Sequence, residues 1–328
     1  MSGEGSGSHP TSHPEEIISH FNSSPNSRCQ RKSPSPGLGQ YKAVVVNDPT
    51  ERPQAAGWRI MQAILKQIHV HVPFVLLKDR YLDFMIEKGL QPEISFSHAA
   101  LLAFGKDDFA DVAVRLRGAG VPITFHAPFI DLRPGAVDPE IRRVSVRRIE
   151  QVFELVPLFQ PRIVVCHPAF DPRYYISQEN AWLEQSILTW RHFEALAREM
   201  GTRIALENVY ETHPIQLKPL LAALDPTVSC FCFDTGHGNA FSNAGMGEWM
   251  DDLGGFLGHV HLHDNAGRTD EHLPVGEGNF PFHGFFERLR SLQRRPLLTV
   301  EAHSERNLWR TLDNLRANRF LDGWDAGA

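Results

Sequence analysis

The chain has 328 residues, 42% hydrophobic and 22% charged, with a formal net charge of −6. This composition describes a soluble globular protein with no global attraction to nucleic acid. No run approaches the ~18–20 apolar residues of a membrane helix. The N-terminus lacks an apolar signal core and carries Glu4, Glu15 and Glu16, which argue against a transit peptide. The cysteines Cys29, Cys166, Cys230 and Cys232 form no CxxC pair and no disulfide framework, so a cytoplasmic location is expected.

Residues 1–40 are rich in Ser, Gly, Pro and His and show no apolar period. They have too little to bury to offset the entropy of ordering and are expected to be disordered. His9, His13 and His20 there carry no specific reading. One apolar run, 43–46, precedes Asn-Asp-Pro and Arg-Pro breakers. Met61 stands immediately before the first convincing element. The folded domain is therefore expected over 61–328, with 1–60 a disordered or loosely ordered extension.

From Met61 short β-like runs alternate with longer helix-like ones. The strand candidates are IHVHVPF (68–74), PEISF (92–96), PITFHAP (122–128), RIVVCHP (162–168), RIALENV (203–209), SCFCFDTGH (229–237), GHVHLHD (258–264) and LLTVEAH (297–303). Amphipathic segments such as 139–159, 180–200 and 282–292 lie between them. This order and size predict an α/β fold, a (β/α)8 TIM barrel. A doubly wound open sheet is the alternative, but no Gly-rich phosphate fingerprint follows the first strand.

Nearly every candidate strand ends in a metal-competent side chain. The third offers His126, the fourth His167, the fifth Glu207, and the sixth Asp234 with His237. The seventh alternates His259, His261 and His263 on one face, and its following loop brings Asp270 and His272; the eighth offers Glu301. Any one of these alone reads as an ordinary loop cap. Together, at the carboxyl ends of successive barrel strands, they predict one site. Unpaired carboxylates and imidazoles are costly to bury, and a divalent metal cluster neutralises and orients them at once.

These residues resemble the xylose isomerase-like TIM barrels, which include AP endonuclease family 2 (endonuclease IV) proteins and many sugar isomerases and epimerases. The resemblance rests on His126-Ala-Pro, His167-Pro, Glu207-Asn, Phe233-Asp234-Thr-Gly-His237, His261-Leu-His-Asp, Asp270-x-His272 before Gly-Glu-Gly, and Glu301, and covers roughly 68–320. The endonuclease branch implies up to three zinc ions. His126, His167 and Glu207 would hold one; Glu207, Asp234, His261 and Glu301 a second; His237, Asp270 and His272 a third. Manganese also suits the carboxylate-rich set.

Two reactions follow from the resemblance. Metal-activated phosphoester hydrolysis uses all nine residues and is placed slightly ahead. The alternative is sugar or sugar phosphate isomerisation or epimerisation on a single metal held by Glu207, Asp234, His261 and Glu301. There the two glutamates relay a proton, and His237, Arg268 and His263 contact substrate. A metal-bearing barrel that binds a ligand without turnover is a minor third reading. A small sugar or phosphoester is the expected partner. DNA is not favoured, because basic residues gather mainly at 142–148 on a helix face.

Other residues read more plainly. Cys230 and Cys232 are expected as barrel fillers, and Trp182, Trp190 and Trp249 as packing. His69 and His71 are divided between core packing and substrate contact, and His303 is placed near the pocket. Phe129 and Ile130 read as loop packing, Glu277 as a loop-fixing residue, and Asp264 as a carboxylate orienting a ligand imidazole. A chain lacking residues 1–58 is expected to keep its unfolding midpoint and metal content; calorimetry and elemental analysis check this, and a large loss of either refutes it.

Overall fold

The computed structural model describes residues 61–324. The expectations for 1–60, including His9, His13, His20, Cys29 and the apolar run at 43–46, lie outside these residues. Helix is already present over 61–65, where Met61, Ile64 and Leu65 are buried.

Eight strands follow: β1 His69–Pro73, β2 Gln91–Ser95, β3 Thr124–His126, β4 Val164–Cys166, β5 Ile204–Glu207, β6 Ser229–Asp234, β7 Leu257–Leu262 and β8 Leu297–Val300. All pair in parallel in sequence order, and β1 also pairs with β8, so the sheet closes into a barrel. The fold is the (β/α)8 barrel that the alternation of patterns implied. Each predicted strand is present, and the polar tails of the sequence patterns fall at the last strand residues or just beyond them, where the site is built.

Local chemistry sets the helices between strands. Asp138 caps the helix Pro139–Phe153 by accepting from the Glu140 and Ile141 amides, and Pro139 suits the first turn. The helix Glu179–Met200 stops at Gly201, whose φ of 70° is the left-handed conformation glycine tolerates. The expected 139–159 helix divides: a second short helix, Val156–Phe159, follows the first. None of the described helices is long and apolar enough to cross a membrane.

Side chains alternate between two environments along each strand. The outward set, including Phe125, Val164, Leu206, Phe231, Phe233, Val260 and Leu298, packs with helix residues Phe153, Trp182, Trp190, Phe193 and Trp249 into one core. The tryptophans are packing residues, as their helical setting suggested. Inside the barrel, Ile163, Val165, Ala205, Cys230 and Cys232 form a separate apolar cluster. The cysteines are the fillers expected of them. The other side of the interior is polar, with His69, Glu93, Thr124, His259 and Thr299 all buried.

The loop after β7 depends on Asp264. Its carboxylate accepts from the amides of Asn265 (2.9 Å), Gly276 (3.0 Å), Gly278 (2.9 Å) and Phe280 (3.1 Å). Its backbone exchanges two hydrogen bonds with Leu273. Asp264 therefore ties down a loop instead of orienting an imidazole, because four amides saturate both of its oxygens. Gly276 has φ 82°, and a Cβ on Gly278 would collide with Asn265 O and Asp264 Oδ1, so the Gly-Glu-Gly turn suits this wrap. Glu277 points away to pair with Arg310 and accept from Asn314. Two of these amides, those of Asn265 and Phe280, belong to buried residues, and removing the acceptor of a buried amide costs about 1–3 kcal/mol for each one left unsatisfied. Asp264→Ala is expected to lower stability by at least ~2 kcal/mol in urea unfolding, with Asp264→Asn intermediate; an unchanged midpoint would refute this anchoring role.

Candidate metal centre

Parallel closure brings the carboxyl ends of the strands to one mouth. His126 and Glu207 are the last residues of β3 and β5, and His167 directly follows β4. Asp234 ends β6 and caps the short helix Thr235–Ala240, accepting from the amide of His237 at 2.6 Å. His261 lies near the end of β7, Glu301 just beyond β8, and Asp270 and His272 in the loop anchored by Asp264. The structure brings all nine predicted residues together.

Glu207 is the hub. Its Oε2 stands 3.2 Å from His126 Nε2, 3.2 Å from His167 Nε2 and 3.4 Å from His261 Nδ1, and its Oε1 lies 3.2 Å from His237 Nδ1. His261 Nδ1 also approaches Glu301 Oε1 (3.2 Å) and Asp234 Oδ2 (3.7 Å). Asp270 Oδ2 is 2.9 Å from His272 Nε2 and 3.5 Å from His237 Nε2, and His272 Nδ1 is 3.7 Å from Glu301 Oε2.

Backbone contacts set several imidazoles. Nδ1 bonds to a carbonyl in His126 (Ala127 O, 2.9 Å), His237 (Asn208 O, 3.0 Å) and His272 (Glu301 O, 3.3 Å). Each contact suits a proton on Nδ1 and turns Nε2 toward a carboxylate. His261 is reversed: its Nε2 faces Glu93 Oε1 at 3.0 Å and its Nδ1 faces the carboxylates.

This arrangement suits a divalent cation. The buried atoms His167 Nε2, His261 Nδ1 and Asp270 Oδ1 make no hydrogen bond despite their close charged neighbours. Donor atoms that converge without bonding one another match a shared ion better than a hydrogen-bond network. Among the described residues five sets have ligand atoms within 4.8 Å of one another: His126, His167 and Glu207; Glu207, Asp234 and His261; His126, His261 and Glu301; His263, His272 and Glu301; and, deeper, Cys232, His259 and His261. Burial alone would push the Glu207 carboxyl up, but His261 and His167 outweigh it and hold it well below the usual carboxylate range. Asp234 is held down in the same way by His237 and His263. Burial opposes charging His237, yet Asp234 and Asp270 raise it well above 6.5. Burial likewise opposes charging His261, which Cys232, Glu93, Glu207 and Glu301 raise.

Some expected contacts sit elsewhere. His263, expected to contact substrate, is fully buried behind Asp234; its Nε2 is 2.9 Å from both carboxylate oxygens, and its ring stacks on His272 at 4.0 Å. A Cβ on Gly236 would collide with that ring, so Gly236 makes room for it. Arg268 is exposed on the loop, His303 stacks on His272 at 3.7 Å, and Phe129 stacks on His167 at 4.4 Å.

Sequence reasoning missed three residues. Asn208 clamps the end of β6, its Oδ1 accepting from Asp234 N (2.9 Å) and its Nδ2 donating to Asp234 O (3.2 Å). Burial pushes the Glu211 carboxyl up to about 8; its Oε2 accepts from Val209 N at 2.7 Å, and its Oε1 has no partner. Glu93 lies wholly buried beneath His261. A carboxylate inside the short β-like run PEISF was the available signal for Glu93.

A family model described as a xylose isomerase-like TIM barrel matches residues 88–320. The chain belongs to this family. It is 30% identical over 203 residues to an uncharacterized protein of Methanocaldococcus jannaschii, covering 60% of this chain and 69% of that one. Among solved structures, a D-tagatose 3-epimerase-like protein superposes with a TM-score of 0.65 at 23% identity, covering 78% of this chain and 97% of that one. A Thermus thermophilus protein from a crystal soaked in ZnCl2 gives 0.63 at 25% identity, covering 77% and 98%. The Escherichia coli 3-keto-D-glucoside 4-epimerase gives 0.59 at 20% identity, covering 77% and 98%.

Because His237 and His261 hold protons above their ordinary 6.5 in the metal-free protein, metal loading must displace them. Affinity for Zn2+ or Mn2+ is thus expected to rise with pH from 6 to 8. Titration calorimetry in two buffers of different ionisation enthalpy measures the released protons, and equal heats in both would refute displacement.

Proposed function

We propose that this barrel is a divalent-metal-dependent sugar isomerase or epimerase, with Glu207 and Glu301 as its proton-transferring pair. The observation that supports it most directly is the convergence of Glu301, Glu207 and Asp234 on His261 Nδ1 at 3.2, 3.4 and 3.7 Å. This gives one imidazole and three carboxylates from four successive strands, a set suited to one Zn2+ or Mn2+. The family is enzymatic, and several similar structures are described as epimerases of D-tagatose, D-psicose or D-allulose type. The phosphoester hydrolysis placed first on sequence is not favoured by these neighbours.

Isomerisation and epimerisation both require removal of a proton from carbon next to a carbonyl and its return to the substrate. A bound divalent ion would polarise the carbonyl and its neighbouring hydroxyl oxygen. Glu207 and Glu301 flank the same imidazole and are largely withdrawn from solvent, with side-chain exposures of 1% and 11%. One takes the carbon-bound proton, leaving an enediolate, and the other, itself carrying a proton, returns it to the face or carbon that defines the product. Asp234 and His261 hold position, Asp234 clamped by Asn208 and His263. The pair His126 and His167 and the group His237, Asp270 and His272 supply polar contacts for hydroxyls around the mouth.

One observation favours a second reading, the three-ion phosphoesterase: His126, His167 and Glu207 form a ligand set of their own. Both readings meet one assay. Metal-loaded protein incubated with a panel of ketoses in D2O is expected to incorporate deuterium next to the carbonyl. Glu207→Gln or Glu301→Gln should slow that exchange about 10²–10⁴-fold. No exchange with any ketose, together with three bound ions and turnover of a bis-aryl phosphodiester, would transfer the assignment to hydrolysis.

A further inference from the structure

We propose that Glu93, on β2 beneath the mouth, is the positioning residue that presents His261 to the metal through Nδ1; the inference rests on the metal-dependent reading above. Glu93 is fully buried inside the barrel, where an unpartnered carboxylate is costly. Its two oxygens are treated differently. Oε2 accepts from the hydroxyls of Thr124 (3.0 Å) and Thr299 (2.9 Å) and lies 3.1 Å from His259 Nε2. Oε1 receives none of these groups; it stands 3.0 Å from His261 Nε2, an ion-pair approach outside hydrogen-bond geometry that leaves neither atom another partner. Groups from β3, β7 and β8 thus fix the carboxylate so that its remaining oxygen addresses one imidazole nitrogen.

The comparison with neighbouring ligands is informative. His126, His237 and His272 rest their far nitrogen on neutral backbone carbonyls, whereas that of His261 faces a carboxylate. A carboxylate behind a ligand imidazole fixes its tautomer and makes the metal-facing nitrogen a stronger donor. It does so at the nitrogen around which Glu207, Asp234 and Glu301 gather. The threonines and His259 hold Glu93, Glu93 holds His261, and His261 completes the ligand set.

A packing role and a positioning role predict opposite results. Removing one partner of a buried charged pair is destabilising in its own right, so the metal affinity of the folded variants, not their melting temperature, separates the two roles. Glu93→Gln keeps the shape and removes the charge. The double variant Thr124→Val, Thr299→Val keeps the charge and removes the hydroxyls that aim it. Each is compared with wild type by thermal unfolding of the metal-free chain and by Zn2+ and Mn2+ affinity in competition with a chromophoric chelator. Metal-free Glu93→Gln is expected to melt lower but to fold, with its metal affinity reduced about 10–100-fold. The double variant should lose affinity in the same direction by a smaller factor. Wild-type affinity in folded Glu93→Gln overturns the proposal, and if that variant does not fold, wild-type affinity in the double variant does so. Neither measurement uses turnover, so a wrong assignment of the sugar reaction leaves this result standing.

Discussion

Glu93, Glu207 and Asp234 are removed from water inside one barrel, with Glu301 nearly so, and the rest of the mouth is arranged to neutralise them. No lysine or arginine takes part in the described contacts around them; the partners are imidazoles. Imidazoles can share protons with the carboxylates when metal is absent and give them up to a divalent ion when it is present. A permanent cation would satisfy the carboxylates but compete with that ion.

The interior of the barrel is divided accordingly. Under β4, β5 and β6 it is filled by Ile163, Val165, Ala205, Cys230 and Cys232. Toward β1–β3, β7 and β8 it carries the connected groups Glu93, Thr124, His259 and Thr299. The apolar side provides close packing, and the polar side supports His261 from below. A half-satisfied buried network would be worse than an apolar core, so its mutual hydrogen bonds matter more than its size. The Asp264-centred loop serves the rim in a similar way, holding the backbone that carries Asp270 and His272.

The functional reading depends on how many of the nine donors serve chemistry directly. The proposed proton transfer rests on His261 and the three carboxylates around its Nδ1. The additional imidazoles surround the same entrance and bring hydrogen-bonding capacity, which a polyhydroxylated substrate requires. Glu211, with its carboxyl held neutral near pH 7 by burial and one oxygen without a partner, adds a proton-bearing group beside this mouth.

The order of elements, the barrel and the nine-residue set were legible in the amino-acid sequence, because strand period, helix caps and strand-end chemistry are local signals. His126, His167, Glu207, Asp234, His237, His261 and Glu301 announce themselves by residue type where an apolar run stops, and Asp270 and His272 by their spacing in the loop that follows the seventh strand. What each one touches was not local. His263 and His261 differ by two residues and share a strand face in sequence, yet one clamps Asp234 from behind while the other receives three carboxylates. Asp264 looked like a partner for an imidazole, and only the return of the chain through Gly276, Gly278 and Phe280 made it a loop anchor. Glu93 stood in a short β-like run, and its purpose appears only when closure brings β2, β3, β7 and β8 around one point. Residue type and period determine which groups reach the mouth; barrel closure and strand register determine which nitrogen meets which oxygen.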